Sequence, residues 1–461
     1  MKQSRLLLSL LATLLSLSSY SSLQAQQKQA EYVPQNQPQV IRPTAEQLGS
    51  IYYAYPGPDK DETISPAPAG YRPFYISHYG RHGSRWMTAD SRYSVVVSLF
   101  DSLNQVGQLT PLGEDVRRRL HVVWADARGK SGNITPLGER QHRDIARRMI
   151  TSFPEVFRDS ARIDARSSTS LRCALSMSYF TEALKEVNPR LQVSRRSYNK
   201  YMDYIAYTSP EGEAFSADTA SWRREFAAFE ARLVRPARLL SSLFTRPAIF
   251  DAKRADDLMR SLYWIAADMQ NTDLAGRMSF YDLFTRDELF GLWQTVNARM
   301  YMCNGNAPLA HGVMIACARP LLRNIIEGAE AAIKEQVVIK EQAVVSPSST
   351  GIPTSSTVPA ADLRFGHDTH LLRLLALMQI VGCDRAEADM DRFHLAWQDY
   401  QMAPMGGNLQ LIFYRNAETE KVLVKLLLNE HEARLPIPSV DGCYYDWEAV
   451  KALWQASLEE E

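Results

Sequence analysis

Phe74-Tyr75-Ile76-Ser77-His78-Tyr79-Gly80-Arg81-His82-Gly83-Ser84-Arg85 is the stretch whose reading decides the fold class. The run from Phe74 to Ser77 is aromatic and β-branched and predicts a strand. The run from Arg81 to Arg85 is a loop that joins one imidazole to two guanidinium groups. Arginine's planar fork matches the oxygens of a tetrahedral oxyanion, and histidine can act as a nucleophile beside it. A strand that ends in such a loop suits an α/β sheet, where ligands bind beyond the carboxyl ends of strands.

Two further strand ends carry matching chemistry downstream. Arg162-Ile163-Asp164-Ala165 predicts a strand that leads into Arg166-Ser167-Ser168-Thr169 and a helix over 170–187. Asp362-Leu363-Arg364-Phe365-Gly366 predicts another, leading into His367-Asp368-Thr369 and an apolar helix over 371–381 closed by Gly382. Between them, a helix is predicted over 94–106. Thr110-Pro111 and Thr135-Pro136 open two more, with threonine as N-cap and proline at the first helical position. A helix over 319–334 and a hairpin of 409–414 with 421–428 complete the pattern. The fold class expected is α/β, a mostly parallel sheet flanked by helices. Residues 71–200 and 310–461 form its core, and 201–309, aromatic, charged and of helical period, form an inserted helical cap. Residues 26–70, rich in Gln, Pro and Tyr, read as an extended N-terminal arm. Residues 340–360, ending in a Ser/Thr/Pro/Val tract, read as an exposed low-complexity loop.

With 52 basic and 52 acidic residues among 461, the chain is neutral, which argues against a nucleic-acid partner or a basic membrane face. Any anion must be held by a local cluster. Lys2 and Arg5 before the apolar run Leu6–Leu17 predict a signal peptide over 1–25, hence export to the periplasm or secretion. No other window is long enough to span a membrane, so no insertion is expected once the leader is removed. The five cysteines (Cys173, Cys303, Cys317, Cys383, Cys443) have no C-x-x-C spacing, so zinc is not suggested. A Cys303–Cys317 pair and buried free thiols both fit.

The chemistry follows from what phosphoryl transfer requires: positioning, neutralised equatorial oxygens, a nucleophile in line and a proton for the leaving alkoxide. Arginines and two histidines converging from three strand ends supply the first three, and Asp368 the last.

These motifs resemble the histidine acid phosphatase branch of the histidine phosphatase superfamily. Arg81-His82-Gly83-Ser84-Arg85, Thr135-Pro136-Leu137-Gly138-Glu139-Arg140-Gln141, Arg166-Ser167-Ser168-Thr169-Ser170-Leu171-Arg172 and Gly366-His367-Asp368-Thr369 carry the likeness, over 71–447. Within the branch, the chain is most similar to bacterial phytases and multiple inositol polyphosphate phosphatases. The resemblance implies a phosphoglycerate-mutase-like core and a phosphohistidine on His82. It places the phosphate on Arg81, Arg85, Arg166 and His367, and makes Asp368 the proton donor. It implies no metal or organic cofactor, and a small-molecule phosphomonoester as partner, inositol phosphates favoured. Two departures bear on substrate: Trp86-Met87 ends the R-H-G-x-R-x-P signature, and His-Asp-Thr stands where inositol polyphosphate phosphatases often have His-Ala-Glu.

Other residues take smaller parts in this reading. Arg172 braces its helix, His142 is solvated or stands behind the site, and His78 packs. Arg195, Arg196, Lys200, Lys253 and Arg254 are candidates for outer phosphates of the substrate. Met405-Gly406-Gly407-Asn408 is a tight turn into a strand or part of the pocket rim. A general or sugar-phosphate acid phosphatase is the alternative. A catalytically silent phosphate-binding protein is more remote, because His82 and Asp368 are both present.

Overall fold

In the computed structural model, strand β1 (Tyr71–Arg81) is buried without interruption from Tyr75 to Arg81, which places it inside a sheet covered on both faces. The structure describes residues 41–59, 63–345, 358–416 and 418–459. The predicted signal peptide over 1–25, the first part of the arm and the tract 346–357 lie outside them. The chain divides into two compact units, Met1–Arg42 and Pro43–Glu461, and the fold is that of the second.

The sheet has eight strands, β2 (Arg162–Ser167), β3 (Gln192–Arg196), β4 (Ala361–Gly366), β5 (Asn408–Asn416), β6 (Val422–Leu428), β7 (His431–Ala433) and β8 (Tyr444–Asp446) joining β1. Their order is β3-β2-β4-β1-β5-β6-β7, with β8 beside β6. β3, β2, β4 and β1 pair in parallel, while β5 to β8 pair antiparallel. The sheet is therefore parallel over the half that carries the reactive loops and antiparallel beyond β1. The predicted hairpin is β5–β6. β3 is absent from the sequence expectation, because Gln-Val-Ser-Arg-Arg is a short edge strand with no apolar run.

Alternation along β1 sends Tyr75, Ser77, Tyr79 and Arg81 to one face and Ile76, His78 and Gly80 to the other. The second face, with Ile163, Ala165, Leu363 and Phe365, packs on the helices Pro136–Ser152 and Leu171–Val187. The first face, with Leu409, Leu411 and Phe413, packs on Arg286–Asn304, Arg319–Val345 and Asp368–Leu377. The helix from Arg319 thus runs past the predicted 334 and takes in the first part of the expected 340–360 loop. The stretch 201–309 is helical in its longer elements, Arg223–Leu233, Ala237–Leu243, Ala252–Met269 and Arg286–Asn304.

Both threonine-proline starts cap as predicted: Thr110 and Thr135 accept the N–H of Gly113 and Gly138 through their side chains. Each glycine also permits a close backbone approach. A Cβ on Gly113 would lie 2.2 Å from the Leu243 carbonyl, and one on Gly138 would lie 2.2 Å from that of Ser84. The second start is thereby locked onto the loop that carries His82.

Of the two readings of His142, the solvated one fails: the residue is buried, because it shares a helix face with Gly138, Ile145, Ala146 and Met149. With His78 it packs against Phe180 and Phe365. Burial pushes both imidazoles down to about 3, helped at His78 by the neighbouring His142 and Arg364. The folded chain therefore refuses protons that the unfolded chain takes up below its ordinary value of about 6.5, so stability falls as pH drops from there toward 3. The thermal midpoint should decline over that window, and His142→Phe should flatten the decline. An unchanged slope in the variant would show that these protons are not what the fold resists.

Candidate active site

The strand order sets the ends of β1, β4 and β2 side by side, with Arg81 in register with Gly366 and Ser167 with Phe365. The loops beyond them are joined by backbone hydrogen bonds. His82 N–H donates to Gly366 O at 3.1 Å and Ser168 N–H to Phe365 O at 2.9 Å. Gly83 has no room for a side chain: a Cβ would stand 2.6 Å from Gly138 O. Ser84 is held from both sides, its N–H donating to Gln141 Oε1 at 2.8 Å and its hydroxyl to Asn271 Oδ1 at 2.7 Å. The turn before β5 belongs to this assembly, since Gly406 N–H donates to His82 O at 2.9 Å and Arg81 N–H to Gly407 O at 2.8 Å.

His82 is buried, and its Nδ1 lies 2.9 Å from Gly83 O. A carbonyl can only accept, so Nδ1 carries the proton and Nε2 keeps a lone pair. Burial, then the charges of Arg81 and Arg85, holds this imidazole well below its ordinary pKa, so it is neutral at pH 7. His367 stands opposite, with ring centroids 5.7 Å apart. Its Nδ1 is 3.4 Å from Arg172 Nη2, a donor, which leaves Nε2 to donate to Ser168 Oγ at 3.2 Å. Burial, then Arg172, brings His367 down to about 4, so it too is neutral at pH 7.

Asp368 begins the helix after β4 and lies 3.2 Å from Arg81 Nη2. Burial alone would raise its pKa, but Arg81, His367 and Arg85 outweigh burial and hold the carboxyl below its usual range. Arg81 is fully buried and anchored through Nη1 by the carbonyls of Ile51 and Ala403, both at 2.7 Å. Arg85 donates to Tyr52 Oη at 3.2 Å and to Trp86 O at 3.0 Å. The Nε groups of Arg81, Arg85 and Arg172 are buried with no hydrogen-bond partner among the described residues. Such donors cost about 1–3 kcal/mol each, which an oxyanion between them recovers.

Arg166 is not brought in. Alternation along β2 puts it on the face of Asp164, where its guanidinium meets Asp164 at 2.5 Å and Asp362 at 3.4 Å, with Tyr201 across it. The arginine that reaches His367 is Arg172, in the first turn of the following helix. Its electrostatic neighbours are Arg85 and Asp368, so the expectation that it only braces the helix is corrected. Arg172→Ala should weaken tungstate binding at least about tenfold, the loss of a charge-assisted hydrogen bond of about 1.5–3 kcal/mol. Arg166→Ala should leave that affinity within about twofold yet lower the thermal midpoint, since it takes the paired cation from buried Asp362. Calorimetry and a melting curve on both variants check this; equal loss of affinity in the two would put Arg166 back in the site.

The residues considered for outer phosphates separate. Arg195 donates to Thr181 Oγ1 at 2.6 Å, Arg196 pairs with Asp164 at 3.2 Å, and exposed Lys253 pairs with Asp257 at 3.0 Å. Arg254 lies over Phe250, also in the helical stretch. Lys200 is exposed above Tyr198 and Tyr201, and Ser197 ties its segment to the Ser168 carbonyl at 2.9 Å. Trp86 is buried, bonded to Asp126, with Lys130 over its ring at 4.5 Å. All five cysteines are free thiols. Cys173 donates to Gly366 O at 3.1 Å and sits 3.7 Å from His367 Nε2.

At pH 7 the guanidinium groups of Arg81, Arg85 and Arg172 stand with the Asp368 carboxylate around two neutral imidazoles, a cationic cluster in a neutral protein. That is the complement of a phosphomonoester dianion.

Comparison with known proteins identifies the family and the fold. A model described as "Histidine phosphatase superfamily (branch 2)" matches residues 80–429. The multiple inositol polyphosphate phosphatase of Bifidobacterium longum, solved with inositol hexasulfate, superposes with a TM-score of 0.71 at 17% identity, over 88% of this chain and 97% of that one. The phytase from D. castellii gives 0.61 at 14% identity, over 94% and 90%. Hafnia alvei phytase in complex with myo-inositol hexakis sulphate gives 0.52 at 13% identity, over 85% and 98%. No functionally curated protein matches the sequence at a significant level.

Proposed function

Since this chain belongs to branch 2 of the histidine phosphatase superfamily, we propose that it hydrolyses phosphomonoesters through a phosphohistidine on His82, with phytate and lower inositol phosphates as its preferred substrates. The observation that carries the reading is the cluster of three arginines around a neutral imidazole whose Nε2 lone pair is fixed by the Gly83 carbonyl.

In the first half-reaction, Nε2 of His82 attacks phosphorus. The bond from phosphorus to the ester oxygen breaks, and the carboxylic proton of Asp368 passes to the leaving alkoxide. Arg81, Arg85, Arg172 and His367 take up the charge on the equatorial oxygens. In the second, water attacks phosphorus, Asp368 accepts a proton from it, and the phosphorus–nitrogen bond breaks to release inorganic phosphate and restore His82.

The inositol phosphate preference has two supports. The fold is shared with proteins solved on hexasulfated inositol, and exposed Lys200, on the segment that Ser197 ties to the β2 loop, offers a cation for a phosphate that is not being transferred. No helix among the described residues is long and apolar enough to cross a membrane. With the leader-like sequence over 1–25, we place the reaction outside the cytoplasm; cell fractionation checks this.

The test incubates the chain with phytate and follows released phosphate and the separated inositol phosphates, with His82→Ala as control. Stepwise dephosphorylation that the variant lacks is expected. Turnover of sugar phosphates but not phytate would overturn the substrate and leave the mechanism. No turnover of any phosphomonoester would overturn both.

A further inference from the structure

The segment before β1 is not the extended arm expected of it. Gln47–Tyr52 forms a 3₁₀ turn whose residues Leu48, Gly49, Ser50 and Tyr52 are buried. Its geometry is specific and strained. Ser50 adopts φ 60°, a left-handed conformation costly for a residue with a side chain, and its hydroxyl is bonded to buried Asp399. The turn is fixed at each step: Leu48 O accepts from Tyr263 Oη at 2.7 Å, and Tyr52 O accepts from Asn271 Nδ2 at 2.8 Å. Asn271 is the residue that also holds Ser84. The Tyr52 ring rests against Trp264 at 5.2 Å.

All this anchoring fixes one group beside the arginines of the site. Arg85 stands over the Tyr52 ring at 5.0 Å and donates to its hydroxyl oxygen at 3.2 Å. The hydroxyl thus sits at the guanidinium of one of the three arginines of the site. Its oxygen already accepts from Arg85, so its own proton is available to an acceptor held between the arginines.

We propose that Tyr52 is a phosphate ligand of this site: its O–H donates to an equatorial oxygen of the phosphoryl group, alongside Arg81, Arg85, Arg172 and His367. The inference rests on the phosphatase reading of the same pocket. Tyr52 lies outside the region 80–429 matched by the family model. Its role as a ligand also explains why a strained turn is built at this point: Ile51 O fixes Arg81 while Tyr52 completes the anion shell. The hydroxyl would strengthen its bond as charge builds on the oxygens, so it favours the transition state over bound product.

The test uses the full chain with Tyr52→Phe, which keeps the ring over Arg85 and removes only the hydroxyl. Tungstate affinity by calorimetry should fall about tenfold, and kcat on p-nitrophenyl phosphate should fall about ten- to a hundredfold with a smaller change in KM. Affinity and kcat both within about twofold of wild type would overturn the proposal. If Tyr52→Phe melts several degrees early, 3-fluorotyrosine at position 52 provides the same shape with a more acidic O–H. Tungstate affinity should then change without a change in melting, and no change would overturn the ligand role. A wild-type chain that binds tungstate but hydrolyses nothing would sink the proposed function and leave the Tyr52 comparison decisive. One that binds no tungstate would sink both.

Discussion

His82→Ala is expected to lower turnover of every phosphomonoester by at least about a thousandfold while the fold and the anion pocket survive. Nε2 of His82 is the lone pair left free by the Gly83 carbonyl, whereas His367 accepts from Arg172 at Nδ1. Removing a nucleophile that splits the reaction into two steps takes away the covalent route outright. The arginines keep their anchors in this variant, so tungstate should still bind. Rapid acid quenching with radiolabelled substrate should trap an acid-labile phosphoprotein in the wild type and none in the variant. A variant retaining even a tenth of the rate would mean that the attacking group lies elsewhere.

Asp368→Asn should separate substrates by their leaving groups. An alkyl alkoxide, such as that of inositol, needs a proton as the ester bond breaks, so turnover of inositol phosphates should drop about 10²–10⁴-fold. p-Nitrophenolate leaves without help, so its release should fall far less in the first turnover. Any lag then falls on dephosphorylation, where the same carboxylate draws the proton from water. The pH dependence follows from the charges. Arg81 holds Asp368 below the usual carboxylate range in the free site, so the donor is ionised at pH 7; a bound dianion beside Arg81 works the other way. His82, held well below 6.5, stays unprotonated as the pH falls. Rates on alkyl phosphates should therefore rise from pH 7 toward acid until His82 itself takes a proton, with a flatter profile for p-nitrophenyl phosphate. Equal losses on both substrates in the first turnover, or a profile that rises toward alkaline pH, would rule out Asp368 as the acid.

What was legible in the sequence was what short-range rules control. The strand before Arg81, the two threonine-proline helix starts, the β5–β6 hairpin and the strand-to-helix joint at His367-Asp368 each follow from residues within a few positions of one another. The assignment of Arg166 failed on a rule of the same range. Asp164 and Arg166 are two apart on a strand and so share a face, which commits the guanidinium to a carboxylate; Arg172, past the loop, is turned back to the strand end by its helix. His142 was masked by Arg140 and Arg143 beside it, although its spacing from Gly138 and Ile145 marks the inner face. Tyr52 had no local signal at all. It stands in a Tyr- and Pro-rich stretch without period, and the groups that give it meaning, Trp264 and Asn271, lie about two hundred residues away.

That distance has a bearing on how the protein comes to be active. Ser50 meets Asp399 across 349 residues, Tyr52 meets Asn271 across 219, and Arg81 is anchored by Ala403 across 322. These contacts close loops that span much of the chain, and such high contact order is paid in folding time. No fragment holds the shell, and a nascent chain cannot build it before residue 403 has been made. In refolding, recovered turnover should therefore lag behind recovered helix signal, making phosphatase activity a clock for the last event in folding.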